Sequence, residues 1–408
     1  MKWKYYHTVW SVMMFAWITN YMVRAGLSPV LIAIMDELSI SYSNAGFIAS
    51  AVFYAYALMG LPGGFIGDRF GRKKVLVGCG LAWAVTSFLT GIASSFFSLV
   101  AFRFLTGVSQ GIYFSNDRPV ISFYTPKGKA GLGQGVSFIG LGLGMFLGIS
   151  LAGPIAESLG WRWVFIIYSV PSALSALLIL KLINEPSRPA ASQAAGTPAQ
   201  SVTGSLLRVT FASKDLWLIY VAGIAATYAL WMLGAWAPAM FKEIGMAGLS
   251  KPSFYASMIG LSAIPGLALS GWATDRLYKE GIGRKAVLSL DFLFAAAVLA
   301  ATGLAISSKV SPLTLVLLVF LAGFFLWGVW APLFSALAEI VPPAALGTAF
   351  GANCTINFIG GLLSPWLTGV IKDQTGSFSA GCHLASILLA AGLLLVLLIK
   401  PPFRFRRP

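Results

Sequence analysis

Twelve long apolar runs cover almost the whole chain, separated by short stretches of charge, glycine and proline. They lie at roughly 9–35, 44–67, 74–95, 97–125, 131–157 and 162–184, then at 216–241, 252–274, 285–307, 312–340, 345–371 and 378–400. A helix needs about 20 mainly apolar residues to cross a bilayer. The pattern therefore predicts an all-α membrane protein of twelve transmembrane helices. Composition points the same way, with 58% of residues hydrophobic and 10% charged. A soluble chain carries about 25% charged residues, so lipid is the expected solvent for much of this surface.

Six runs stand on each side of residues 185–215, which include "NEPSRPAASQAAGTPAQSVTGSLLR". That segment is rich in Pro, Ala, Ser, Gln and Thr and reads as a cytoplasmic linker without a core of its own. The predicted organisation is a six-helix bundle over 1–184, the linker, a second bundle over 216–400 and a basic tail over 401–408. The halves also repeat. "GGFIGDRFGRKKV" follows the second run, and "SGWATDRLYKEGIGRKAV" follows the eighth. Internal duplication of this kind marks transporters whose halves rock around a site at the membrane midplane.

The net charge of +15 would suggest nucleic acid in a soluble protein. Here its distribution suggests topology instead. With both termini cytoplasmic, twenty Lys/Arg fall in inner segments, five in outer loops, and Arg24, Arg103 and Arg118 within spans. That bias follows the positive-inside rule and leaves no role for nucleic acid. The expected location is the cytoplasmic (inner) membrane, as a monomer. The start "MKWKYYH" leads into a long span without a small-residue cleavage site, so no cleaved leader is expected. Cys79, Cys354 and Cys382 are scattered, which argues against disulfides and metal sites. His7 and His383 fall near predicted helix ends. No nucleotide-binding loop, metal constellation or paired nucleophile and base is present, so neither an enzyme nor a resident cofactor is expected.

The repeated loop is a short, Gly-flanked basic turn in which Asp68 can pair with a nearby Arg or a helix N-terminus. Gly64-x-x-x-Asp68-Arg69-x-Gly71-Arg72-Lys73 and the six-plus-six layout resemble the major facilitator superfamily over essentially the whole chain. The resemblance implies two pseudo-symmetric bundles and alternating access, with Asp68, Arg69, Arg72, Asp275 and Arg276 in gating loops.

The first half also resembles the anion:cation symporter branch in "NYMVRAGLSPVL", "RFLTGVSQG", "SNDR" and "GWRWVF". This implies that Arg24 binds an anionic group of the cargo and that Arg103 supports it. Two positions depart from that branch. Val23 stands where it has Asp, and Gln110 where it has Glu, so its route for proton coupling is missing. "YMVR" and "SQG" are closer to organophosphate:phosphate antiporters. Their second arginine, however, corresponds to about Leu230. One bidentate guanidinium suffices for a carboxylate, and that favours a carboxylate over a phosphate ester.

The residues themselves lead to a similar place. An arginine at the centre of a span costs at least about 2.5 kcal/mol on insertion scales. Arg24 must therefore face a partner or a wet cavity: either cargo, or a fixed pairing such as one with Asp117. Asn20, one turn earlier, shares its face. Arg103, Gln110 and Asp117 are spaced by seven and share a stripe. Gln110 is a candidate cargo contact. Asp117 is a candidate proton carrier or, with Arg118, part of a latch to Asp68, Arg69 or Arg72.

In the second half, Glu339 is placed to mirror Asp117, and Asp291 has no assigned role. Tyr228, Trp231, Trp327, Asn353 and Asn357 suit an uncharged or hydroxylated part of a cargo, and each could equally be packing. The resulting expectation is secondary or facilitative transport of a small organic anion, with a co-transported proton or an exchanged anion. Export of lipophilic cations, phosphate-ester antiport and a non-transporting receptor are the competing readings.

Overall fold

The structure is a computed structural model that describes residues 3–126, 129–186, 210–280, 283–342 and 345–399. Most of the expected linker and all of the basic tail lie outside these residues. The described chain forms twelve helical rods. The first half contains α1 (Tyr5–Leu38), α2 (Tyr42–Phe70), α3 (Arg72–Gly91), α4 (Phe96–Tyr124), α5 (Ala130–Leu159) and α6 (Trp161–Leu182). The second contains α7 (Lys214–Glu243), α8 (Ser250–Lys279), α9 (Arg284–Ser307), α10 (Pro312–Ile340), α11 (Leu346–Thr375) and α12 (Ser379–Leu398). Ten of these are long and apolar enough to cross a bilayer, and α2 qualifies as a bent pair. The remaining rod, α4, carries Arg103, Gln110, Asp117 and Arg118. Arg103, Gln110 and Asp117 are buried, so their polarity is spent inside the protein.

Packing repeats between the halves. In the first, α1 packs on α5, α2 on α4 and α3 on α6; in the second, α7 packs on α11, α8 on α10 and α9 on α12. Small residues set the closest approaches, as expected where lipid provides no hydrophobic drive between helices. A Cβ on Gly144 would sit 2.5 Å from the Ile18 carbonyl oxygen, and one on Gly148 would sit 2.8 Å from Met22 Cα. On the matching seam, a Cβ on Gly360 would sit 2.1 Å from the Ile224 carbonyl oxygen.

The repeated loops also correspond in three dimensions. Gly71 (φ +94°) and Gly283 (φ +83°) open α3 and α9 in a backbone region that favours glycine. The following arginines reach carbonyls of the fourth helix of each half, Arg72 Nη1 donating to Ser115 O at 3.4 Å and Arg284 Nη1 to Ser335 O at 3.0 Å. Each loop is tied to the last helix of its half by opposite chemistry. The Glu185 carboxylate accepts from Arg72 N and Lys73 N at the positive end of α3. Lys285 Nζ donates to Leu397 O and Ile399 O at the negative end of α12.

The odd-numbered rods begin, and the even-numbered rods finish, at the end of the bundle that carries the termini. All described hydrogen bonds and ring contacts between the halves lie at mid-height or toward the opposite, far end. There α2 packs on α11 and α5 on α8. The contacts include Ser28 Oγ donating to Ala235 O at 2.8 Å, Tyr56 against Phe358, and Tyr42 against Trp236.

The uninterrupted first span suggested by hydropathy is in fact broken. Helix Tyr5–Ala25 gives way to a 3₁₀ turn at Ser28–Val30 and resumes as Leu31–Leu38. Pro29 has no N–H to offer Ala25 O, and where the helix stops at Ala25 the carbonyls of its last turn lose their usual partners.

Candidate substrate site

Arg24 lies in the last turn of the first segment of α1, at this break, and is 4% exposed. Its Nε and Nη2 both donate to Gln110 Oε1, at 2.9 and 2.7 Å. Gln110 Nε2 in turn donates to Asn20 O at 3.1 Å, which fixes the orientation of the amide. Arg24 and Gln110 are thus joined directly, and Gln110 also meets the backbone of Asn20, contacts between helices that sequence spacing does not give. The pairing of Arg24 with Asp117 does not form.

Four rings surround the guanidinium. Its Cζ lies 4.8 Å from the Tyr21 centroid, 4.8 Å from Tyr56, 5.5 Å from Trp231 and 5.8 Å from Phe53. Each such contact offers about 0.5–2 kcal/mol, less than an ion pair would. No ion pair to Arg24 exists among the described residues. A cleft of about 20 Å³, room for a water or two, touches Arg24, Arg103, Ser28, Phe53 and Trp231.

Arg103 serves the backbone. It is 1% exposed, and its Nη1 and Nη2 donate to Val23 O at 2.9 Å and Arg24 O at 3.0 Å. The planar fork thus closes two carbonyls left open by the break in α1 and anchors the residue that carries the site cation. Asn20 is fully buried, and neither side-chain amide atom has a partner among the described residues, which leaves both for a cargo or a water.

The other expected residues distribute as follows. Trp231 faces Arg24 across the junction between the halves. Tyr228 lies deeper in the second half, with its hydroxyl 3.4 Å from Thr368 Oγ1. Trp327 donates its indole N–H to Ile259 O at 3.0 Å and so closes the kink of α8. Asn353 and Asn357 are buried, and their amide atoms have no partner among the described residues. Asn357 packs against Gly223 of α7.

Asp117 receives Trp17 Nε1 at 2.6 Å and Arg118 Nη2 at 2.7 Å. Arg118 also reaches Gln134 and Ser137 on α5. The expected latch of Asp117 and Arg118 to the loop is thus replaced by contacts inside the bundle. In the loop, Asp68 pairs with Arg72 at 2.5 Å. Glu339 makes the loop-to-span pair, with Arg284 Nε at 3.0 Å, while Arg276 pairs with Glu280 at 3.1 Å.

Tyr21, Tyr56, Phe53 and Ser28 were not anticipated. Tyr21 lies three residues before Arg24 on the same helical face and was discoverable. The others arrive through the fold of α2 and the break in α1.

Two six-helix halves, clasped at one end around a buried cation at a break in the first helix, define a membrane transporter rather than an enzyme. The chain belongs to the Major Facilitator Superfamily, whose sequence pattern matches residues 13–365. It is 27% identical to a probable sulfoacetate transporter of Cupriavidus necator over 97% of this chain and 94% of that protein. It is 28% identical to a hexuronate transporter of Bacillus subtilis, covering 95% and 93%, and 25% identical to a D-galactonate transporter of Escherichia coli, covering 93% and 92%. The fold is that of a D-xylose-proton symporter crystal structure, with a TM-score of 0.78 at 17% identity over 98% of this chain and 99% of that one.

Proposed function

We propose that the chain carries a small organic acid anion, such as a sugar acid or sulfonated carboxylate, by alternating access, with Arg24 binding the anionic group. The observation that carries this reading is a mid-membrane guanidinium oriented by a neutral amide, ringed by aromatic faces and paired with no carboxylate among the described residues. Such a cation favours an incoming anion, because a buried charge without a partner is costly. End-on bidentate geometry is available, because Gln110 takes Nε–H and one N–H of Nη2 and leaves Nη1 and the other Nη2 N–H for the cargo. The unpaired amide of Asn20 and the rings of Tyr21, Tyr56 and Trp231 suit the hydroxyls and C–H faces of a sugar acid. The similarity to transporters of sulfoacetate, hexuronate and galactonate supports the same class.

A phosphate dianion is less well served, since buried Leu230 stands where a second arginine would be needed. A lipophilic cation would meet Arg24 with the wrong sign. The lysine and arginine bias supports placing the terminus-bearing end in the cytoplasm. On that placement, the clasped end faces outward and the halves part toward the cytoplasm. The test is uptake into proteoliposomes of labelled glucuronate, galactonate, sulfoacetate, a hexose phosphate and a lipophilic cation. Saturable uptake of one of the three carboxylates is expected. Transport of the phosphate ester or the cation alone would overturn the reading.

A further inference from the structure

The charges around Arg24 bear on what drives the cycle, given the reading that Arg24 holds the anion. Two guanidiniums, Arg24 and Arg103, lie buried side by side in the first half. Neither forms an ion pair among the described residues. The position best placed to neutralise Arg24 holds Gln110, whose Oε1 already occupies Nε and Nη2. A carboxylate there would make a bidentate ion pair; the amide supplies the geometry without the charge.

Asp117 cannot substitute. Arg118 and Trp17 engage it, and it lies about 10 Å along α4 from Gln110 at 1.5 Å per residue. The titratable groups facing Arg24 are the phenols of Tyr21 and Tyr56 and the thiol of Cys354 on α11. All three are neutral at pH 7 at their ordinary values. Asp291 sits elsewhere, bonded to Ser270 and resting on Gly328 among α8, α9 and α10.

We infer that the protein is an obligatory anion exchanger. A small organic anion bound at Arg24 crosses one way, and a second anion of like charge must bind before the carrier returns. Closing both ends around an uncompensated guanidinium is costly, so the return without an anion is the slow step. Because no carboxylate among the described residues alternates with the cargo at Arg24, a proton has no group at this site through which to couple.

Gln110 is the positioning residue that sets this mode. Gln110→Glu would place a counter-charge on Arg24 Nε and Nη2. The carrier could then return unloaded, and cargo would have to compete with the new carboxylate.

The experiment is uptake into proteoliposomes of labelled glucuronate, galactonate or sulfoacetate, whichever proves to be carried. Vesicles preloaded with the same unlabelled anion are compared with anion-free vesicles, with and without an imposed pH gradient. Wild-type uptake is expected to be about tenfold or more faster into loaded vesicles, a difference of at least 1.36 kcal/mol in barrier, and indifferent to the gradient. Gln110→Glu should narrow that ratio toward one and make uptake respond to pH.

Equal wild-type uptake into loaded and anion-free vesicles, or accumulation driven by the pH gradient alone, would overturn the inference while leaving anion binding at Arg24 intact. Gln110→Glu that folds, transports and keeps the wild-type ratio would overturn the role given to Gln110. Should that variant fail to fold, the wild-type comparison still decides the exchange. Failure to carry any of the three anions would remove the underlying reading as well.

Discussion

Replacing Arg103 with lysine separates charge from geometry at the break in α1. The charge stays, but one ammonium replaces a planar fork that holds Val23 O at 2.9 Å and Arg24 O at 3.0 Å. The ammonium can serve one carbonyl well and not both. A hydrogen bond to a charged group contributes about 1.5–3 kcal/mol, and an abandoned buried carbonyl adds a desolvation penalty.

The net loss expected for Arg103→Lys is therefore about 2–3 kcal/mol, visible as a melting temperature lower by several degrees in detergent. Because the freed carbonyl belongs to Arg24 or its neighbour, the site cation should also lose its fixed position. The half-saturation concentration for the cargo should rise about tenfold, the equivalent of 1.4 kcal/mol, more than any change in the maximal rate. Purified protein, thermal unfolding and uptake kinetics in proteoliposomes measure both effects. A variant that matches wild type in stability and in half-saturation would refute the view that this fork is what holds the break together.

At the far end, carboxylates from α11 and α5 cap helices of the opposite half. Asp373 accepts from Tyr42 N at 3.0 Å and Ser43 N at 2.8 Å, and Glu157 accepts from Ser250 N and its hydroxyl. Asp373→Asn combined with Glu157→Gln should weaken this clasp and increase labelling of Ala235→Cys by an impermeant maleimide from the far side; unchanged labelling would show that the caps do not hold it shut. Gly144→Leu should abolish folding or cost about 1–3 kcal/mol by overpacking, since a Cβ already meets the Ile18 carbonyl; a normal gel-filtration profile and melting temperature would contradict the seam. Asp117→Asn should destabilise by about 3 kcal/mol, the lower end for breaking a buried pair because Arg118 is partly exposed. Adding Arg118→Gln should recover part of that loss, and a double-mutant cycle in thermal unfolding tests the coupling.

Much of the scaffold was legible in the sequence because the bilayer imposes it. Runs of about 20 apolar residues have few other uses, and the repeated loops announce the duplication. Arg24 and Gln110 were legible as candidates through the cost of polarity inside a span. Their mutual bond was not, since it depends on the rotation of α4 against α1.

Arg103 was read as a support for Arg24; how it does so, by holding Val23 O and Arg24 O, was not legible, because hydropathy is blind to the break in α1. Asp117 was read as a partner for the loop, yet Trp17, exactly one hundred positions earlier in the chain, takes it instead. Glu339 meets Arg284 as the loop geometry allows. The aromatic cage was the least legible part. Phe53 and Tyr56 share a face of α2 while Trp231 lies on α7, and only the junction of the halves brings that ring to theirs.

Binding at Arg24 is tested most directly by comparing wild type with Arg24→Lys and Arg24→Gln in calorimetric titrations with the carried anion. Heat of binding in wild type, at least about tenfold weaker affinity in Arg24→Lys and none detectable in Arg24→Gln, with all three proteins equally folded, is the expected result. Undiminished binding in a well-folded Arg24→Gln protein would contradict it.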